Sequence, residues 1–233
     1  MFGHRLLNLT GRIDRGPSRI DRTSKDLKWR NFLPTEVDEF KPRSDLRLII
    51  ITGGAISGKS LAAQRLYGQL PEDWRIVPLD NHIPTGVKLQ NYAGVDWKIG
   101  AVLDGAAAVG HWRTARKRVI VEGVANEPAV KLLAQALGTT PEAPDCVVIQ
   151  LQRSRTTTGQ RLDADPTRLA EYTEMGRDRV LDGFEGQVPP LIPGATQIQT
   201  DDLSPEEVLS KVKEALSAPS GPASADDSPR PGR

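Results

Sequence analysis

The strongest constraint on this chain is a junction. Leu46-Arg47-Leu48-Ile49-Ile50-Ile51-Thr52 is an apolar run rich in β-branched side chains, and Gly53-Gly54-Ala55-Ile56-Ser57-Gly58-Lys59-Ser60 follows it directly. A continuous apolar run, as opposed to an alternating one, suits a strand buried on both faces inside a parallel sheet. Beyond the loop, Ala62, Leu66 and Leu70 recur at helical spacing and Pro71 stops the helix. Strand, glycine-rich turn and helix in that order commit this part of the chain to an α/β unit.

The loop residues fit the pattern G-x-x-x-x-G-K-[ST]. Glycines let such a loop turn tightly and aim successive backbone N–H groups at a phosphate chain. The N-terminus of the next helix adds partial positive charge. Lys59 is placed to reach the β- and γ-phosphates, and the Ser60 hydroxyl to ligate Mg²⁺. Gly53, Gly54, Ala55, Ile56, Ser57, Gly58, Lys59, Ser60 and the adjoining Leu61 form the candidate nucleotide-binding set. ATP and Mg²⁺ are the expected cofactors.

The chain has 233 residues, enough for one domain with a full core plus tails, and its formal net charge is +1. So small a charge gives no global pull toward nucleic acid or acidic lipid. Cys146 is the only cysteine and lies in an apolar run, which suits a buried inert thiol and excludes a disulfide framework within one chain. No apolar run is long enough to span a bilayer. The start, Met1 to Leu9, lacks the apolar core of a secretory signal, so the default expectation is a cytoplasmic protein.

Residues 1–44 are polar and rich in arginine, a basic and partly disordered arm on this reading. It is either solvated or draped over the domain through Trp29, Phe32 and Leu33, or else it touches phosphate of a nucleic acid or a partner. The domain itself is expected over residues 45–217. A second strand runs from Trp74 to Asp80, with Pro78 placing it at a sheet edge or giving it an irregular end. Ile83 to Val95 shows no clear period and is a candidate substrate loop. Asp96 caps a helix through Ile99, Val102, Leu103 and Ala106, and Val119 to Gly123 is a third strand. Asn126 and Pro128 open the next helix, and Cys146 to Leu151 is a fourth strand. An arginine-rich stretch follows, with Arg153, Arg155, Arg161, Arg168, Arg177 and Arg179, and Asp165-Pro166 signals a helix start within it. Ala195 to Thr200 alternates like a short strand, and Ser204-Pro205-Glu206-Glu207 is a capping box opening the last helix. Residues 218–233 read as a disordered tail.

Apolar strands alternating with helices imply an α/β fold. The expectation is a three-layer α/β/α sandwich with a parallel five-stranded sheet. Right-handed crossovers place every strand's C-terminal end on one rim. The loop at Gly53, the acid Asp80 and the acid Glu122 all lie at such ends, so they should converge.

In these pieces the sequence resembles the small P-loop kinases, within the fold of the P-loop containing nucleoside triphosphate hydrolases. It is most similar to the branch of uridine kinase, nicotinamide riboside kinase and phosphoribulokinase. Gly53 to Ser60, the strand ending at Asp80, the segment Val119 to Gly123, the arginine-rich stretch and the terminal Ser-Pro-Glu-Glu helix carry the likeness, over roughly residues 45 to 217. The resemblance implies that Asp80 accepts or orients the proton of an acceptor hydroxyl, that Glu122 acts near Mg²⁺ or the substrate, and that lid arginines between Arg153 and Arg168, Arg155 and Arg161 among them, fold over the phosphates. His82, Asp96 and Trp97 are weaker candidates for the acceptor pocket.

The expected activity is ATP-dependent transfer of a phosphoryl group to a hydroxyl of a small molecule, a nucleoside or related polyol. Lys59, Asp80, Glu122, Arg155 and Arg161 would be catalytic, with Ser60 and Glu122 at the metal. The absence of an N-K-x-D or T-K-x-D motif after the loop disfavours a guanine-reading switch. Two alternatives stand beside this reading: an ATP-binding regulatory module, and a kinase acting on a nucleic-acid or antibiotic hydroxyl. The small-molecule acceptor is the expected partner. Nucleic acid is open through the basic arm but not favoured, and no membrane is implied.

Overall fold

In the computed structural model the described residues are 39–82, 96–164, 177–186 and 188–218, the side chains of 81–82, 96–99 and 179 excepted. The basic arm before residue 39, the candidate substrate loop, the helix start at Asp165-Pro166 and the tail beyond residue 218 lie outside them. So do Arg168 and the side chains of His82, Asp96 and Trp97.

The sheet has five strands: β1 (Leu48–Gly53), β2 (Trp74–Pro78), β3 (Arg118–Gly123), β4 (Cys146–Gln152) and β5 (Thr196–Gln199). Their order is β2-β3-β1-β4-β5, and each neighbouring pair is parallel. β1 is central, with Ile50 level with Val121 on one side and Val148 on the other. β2 is an edge strand, so its Pro78 breaks no interior ladder. Arg118 pins that edge by donating from Nε and Nη2 to the two carboxylate oxygens of Asp73, at 2.6 and 2.9 Å.

The alternation of side chains along β1 explains why helices must cover both faces. Leu48 and Ile50 belong to one apolar cluster, with α2 (Asp96–Thr114) and α3 (Glu127–Leu137) supplying Val102, Val109, Val130 and Leu133. Ile49 and Ile51 belong to the other, with α1 (Lys59–Tyr67) and α6 (Pro205–Ser217) supplying Leu66, Val208 and Val212. The result is the three-layer α/β/α arrangement expected from the sequence.

Two helices had no clear signal in the sequence. α4 (Arg155–Asp163) is capped by the Ser154 side chain, which accepts from the Thr157 N–H. Its sequence, RTTTGQRLD, contains one large apolar residue, Leu162, so no amphipathic period marks it. α5 (Arg177–Glu185) contributes Val180, Leu181 and Phe184, which close with Leu162 into a third, small cluster. Among the described residues no helix is long and apolar enough to cross a membrane.

The segment before β1 also belongs to the domain. The Phe40 N–H donates to the Gln69 carbonyl at 2.7 Å, and Arg43 Nη1 and Nη2 donate to the carbonyls of Ala218 and Pro144.

Candidate functional site

The site grows from the C-terminal end of β1. Gly53 sits opposite Leu151 of β4 with φ at 152°. A Cβ there would lie 2.5 Å from the Leu151 carbonyl oxygen and 2.9 Å from Ser57 Oγ, so only glycine lets the chain leave the sheet at this point. The neighbouring Thr52 fixes the exit. Its Oγ1 donates to the Ala125 carbonyl and accepts from the Ala125 N–H, both at 2.9 Å, tying β1 to the loop after β3.

From Gly54 the chain turns tightly, the Ser57 N–H reaching back to the Gly54 carbonyl at 3.4 Å. Ile56 takes a left-handed conformation (φ 61°), uncommon for a β-branched residue. Gly58, also left-handed at φ 92°, is the N-cap of α1, and no side chain caps that helix end. Its first turn carries no acid either. The positive end of the helix is therefore left for an anion. Lys59 is buried, and among the described residues its Nζ makes only a long hydrogen-bonding contact, 3.5 Å, with the Gly54 carbonyl. Ser57 Oγ is buried and has no partner among the described residues. A buried ammonium and a buried hydroxyl so weakly satisfied fit a phosphate chain as their missing partner.

Next to the loop, the Ser60 hydroxyl donates to Glu122 Oε2 at 3.0 Å. Glu122 lies in β3 level with Ile51 and Pro78, 5% exposed. Burial pushes its carboxyl above the usual range, opposed by the Lys59 ammonium; nearby Asp80 pushes it further up, and the Ser60 hydroxyl down. Asp80 stands in a single 3₁₀ turn, Leu79–His82, two residues past the Pro78–Glu122 register, and its side chain is exposed. The turn is held down where Leu79 packs on Gly123 so closely that a Cβ would meet it at 2.7 Å. The structure thus brings Lys59, Ser60, Glu122 and Asp80 to one rim, as the strand-end argument anticipated. Leu61 begins the helix surface, 42% exposed.

A hydroxyl and one carboxylate suit magnesium, which keeps most of its waters and takes few protein oxygens beside phosphate. The described residues contain no cluster of three or more Asp, Glu, His or Cys side chains that could hold a metal ion.

Of the expected lid arginines, Arg153, Arg155 and Arg161 are among the described residues, and each is engaged by groups of the protein. Arg155 pairs with Asp182 at 2.6 Å on the surface, joining α4 to α5. Arg161 donates from Nη1 to the Ile56 carbonyl at 3.1 Å and from Nη2 to the Thr200 carbonyl at 2.6 Å. Burial lowers its pKa, partly offset by Asp201. Arg153 donates from Nε to the Ala55 carbonyl at 2.6 Å and pairs through Nη1 with Glu185 at 2.8 Å. Here Arg153 and Arg161 grip carbonyls of the loop itself. Only one signal in the sequence distinguishes Arg153: a lone arginine directly after an apolar strand.

Two polar braces complete the wall, and neither was legible beforehand. Thr200 Oγ1 lies 3.0 Å from the Gln152 carbonyl oxygen and 3.4 Å from that of Ser57, so its single proton is shared between them or given to the nearer. Gln150, fully buried in β4, donates from Nε2 to the Pro189 and Pro190 carbonyls, and its Oε1 accepts from the Ile192 N–H and from Gln197 Nε2. This holds the stretch around Val188 against Gly54, whose Cβ would lie 3.0 Å from Val188 Cγ2.

No protein-family model matches the chain, and no curated protein matches it in sequence. Solved structures do. A gluconokinase from Sinorhizobium meliloti 1021 superposes with a TM-score of 0.53 at 14% identity, over 75% of this chain and 93% of that one. The structure of APE1195 does so with a TM-score of 0.51 at 16% identity, over 76% of this chain and 97% of that one. At such identities the likeness is one of fold alone, a parallel five-stranded sheet between two layers of helices.

Proposed function

We propose that the protein is a kinase that transfers the γ-phosphoryl group of ATP to a hydroxyl of a small molecule, a nucleoside or related polyol. The observation that carries this is the junction of a tightly bent glycine-rich loop, a buried ammonium whose hydrogen bonding among the described residues is a long contact with the Gly54 carbonyl, and the Ser60–Glu122 pair, with one exposed carboxylate, Asp80, beside them.

Each residue then has a task. Loop amides and the open end of α1 receive the phosphates, and the Lys59 ammonium counters charge at their β- and γ-oxygens. Ser60 and Glu122 would hold magnesium, which when bound neutralises and orients the phosphate oxygens. Asp80, exposed at the rim, holds the acceptor hydroxyl and takes its proton as the oxygen attacks in line. Positioning and charge account for most of the acceleration in such transfers. That a gluconokinase shares the fold is compatible with a polyol acceptor. The branch with uridine kinase and its relatives remains our proposal, carried by the sequence resemblance.

The test is ADP release from Mg·ATP across a panel of nucleosides, sugars and sugar acids. Acceptor-dependent release supports the kinase. Acceptor-independent release would make the domain an ATP-hydrolysing module. No binding of any nucleoside triphosphate by calorimetry would overturn both. Lys59→Ala should lower turnover by about 10²-fold or more with the fold intact by circular dichroism. Full activity in that variant would remove the loop from the mechanism.

A further inference from the structure

We propose that Arg153 is a positioning residue for the phosphate-binding loop, and that Glu185 acts on the loop through it. The consequence for turnover rests on the kinase reading above, but the geometry does not.

Arg153 follows β4 directly, and its side chain is 1% exposed. One planar group reaches two parts of the molecule. Nε donates to the Ala55 carbonyl at 2.6 Å, and Nη1 donates to Glu185 Oε1, at the end of α5, at 2.8 Å. Its Nη2 lies beside Gly54, 3.4 Å from where a Cβ on that residue would sit. The next carbonyl of the loop, that of Ile56, takes Nη1 of Arg161 from α4. Ala55 and Ile56 also pack against the cluster of Leu162, Val180, Leu181 and Phe184, which α4 and α5 build together. Two successive loop residues, one of them left-handed, are thus held by guanidinium groups and by an apolar seat.

The chemistry makes the arrangement specific to arginine. A rigid fork can serve a carbonyl and a carboxylate in fixed directions at once; an ammonium has no such fork. Glu185 is the one carboxylate paired with this buried cation among the described residues, and its side chain is 31% exposed. Neutralising it leaves a desolvated guanidinium without its counter-charge, and that loss is felt where the guanidinium is anchored, at Ala55. The loop's shape therefore depends on where α5 ends.

The experiment uses the full chain and the variants Glu185→Gln, Arg153→Lys, Arg153→Met and Arg153→Met with Glu185→Gln. Amide hydrogen exchange of residues 54–60 is read without ligand, and binding of Mg²⁺ with a non-hydrolysable ATP analogue is read by calorimetry. Glu185→Gln should speed loop exchange by about fivefold, leave β1 and α3 exchange unchanged, and weaken analogue binding by a similar factor. Arg153→Lys should behave likewise. In the Arg153→Met background, Glu185→Gln should add less than about twofold, because Glu185 has lost the group it acts through. Unchanged loop exchange in Glu185→Gln, faster exchange with unchanged analogue affinity, or effects of the two substitutions that multiply would each overturn the proposal. If Arg153→Met does not fold, Glu185→Gln and Arg153→Lys decide it by the first two criteria. If the wild type binds no analogue, the kinase reading fails, and loop exchange alone decides this one.

Discussion

Glu122 carries a cost in the ligand-free protein that its position explains. Its carboxyl is buried, and burial raises its pKa despite Lys59. A carboxyl with a folded pKa above the unfolded value binds its proton more tightly in the native state, so its charge opposes folding at neutral pH and the penalty fades as pH falls through that raised pKa. Glu122→Gln should therefore raise the thermal midpoint at pH 7, with the gain over wild type shrinking as pH falls through the raised pKa and levelling off once pH is below the ordinary glutamate range. The same variant should lose phosphoryl transfer by about 10²-fold, as it removes the anionic partner of Ser60. A midpoint that falls at pH 7 would show that the charge is compensated by Lys59 and Ser60. Cys146 behaves as its apolar surroundings dictate: burial pushes its thiol up to about 12, which keeps it unreactive.

The link between β4, α4 and β5 is the next level at which stability and site meet. Asp201 follows β5 and accepts from the Ser154 N–H at 2.7 Å, and from Gln199 and Thr157. Burial pushes its carboxyl up, but these hydrogen bonds outweigh it and bring it down to about 2. A depressed carboxylate stabilises the fold above its unfolded value and loses that contribution as pH falls toward 2. Wild-type unfolding should become easier between about pH 4 and pH 2, and Asp201→Asn should flatten that part of the profile. An unaltered acid limb in the variant would contradict the role. Because Ser154 caps α4, and α4 carries Arg161 to the Ile56 carbonyl, loosening this junction also loosens the phosphate loop.

Taken together, the sheet order puts the Gly53–Ser60 loop between β3 and β4, where β1 is flanked on both sides, with Glu122 on one side and the arginine braces on the other. Ligand binding at such a place should stabilise the entire domain. At a Mg·ATP analogue concentration about 100 times its Kd, linkage gives about 2.7 kcal/mol, a rise of about 5–11 °C in the melting temperature. Lys59→Ala should abolish that rise. A shift retained in Lys59→Ala would place the nucleotide elsewhere.

Much of this was legible in advance because it is local. The apolar run of β1, the glycines after it, the Asn126 and Ser204 caps and the β-branched strands each report their own backbone. The rim of Lys59, Ser60, Asp80 and Glu122 followed from parallel strands having their C-terminal ends on one side. α4 was not legible, for its sequence has no apolar stripe and its stability comes from the Ser154 cap and the seat shared with α5. Nor were the directions of the arginines. A charge on a long flexible stem has no period, and many partners lie within its reach. Arg153 and Arg161 face the back of the loop because folding buries them where the carbonyls of Ala55, Ile56 and Thr200 offer the compensating bonds. Local sequence codes the shape of the phosphate cradle, whereas long-range burial selects what holds it, since a desolvated cation must take the acceptors that packing brings to it.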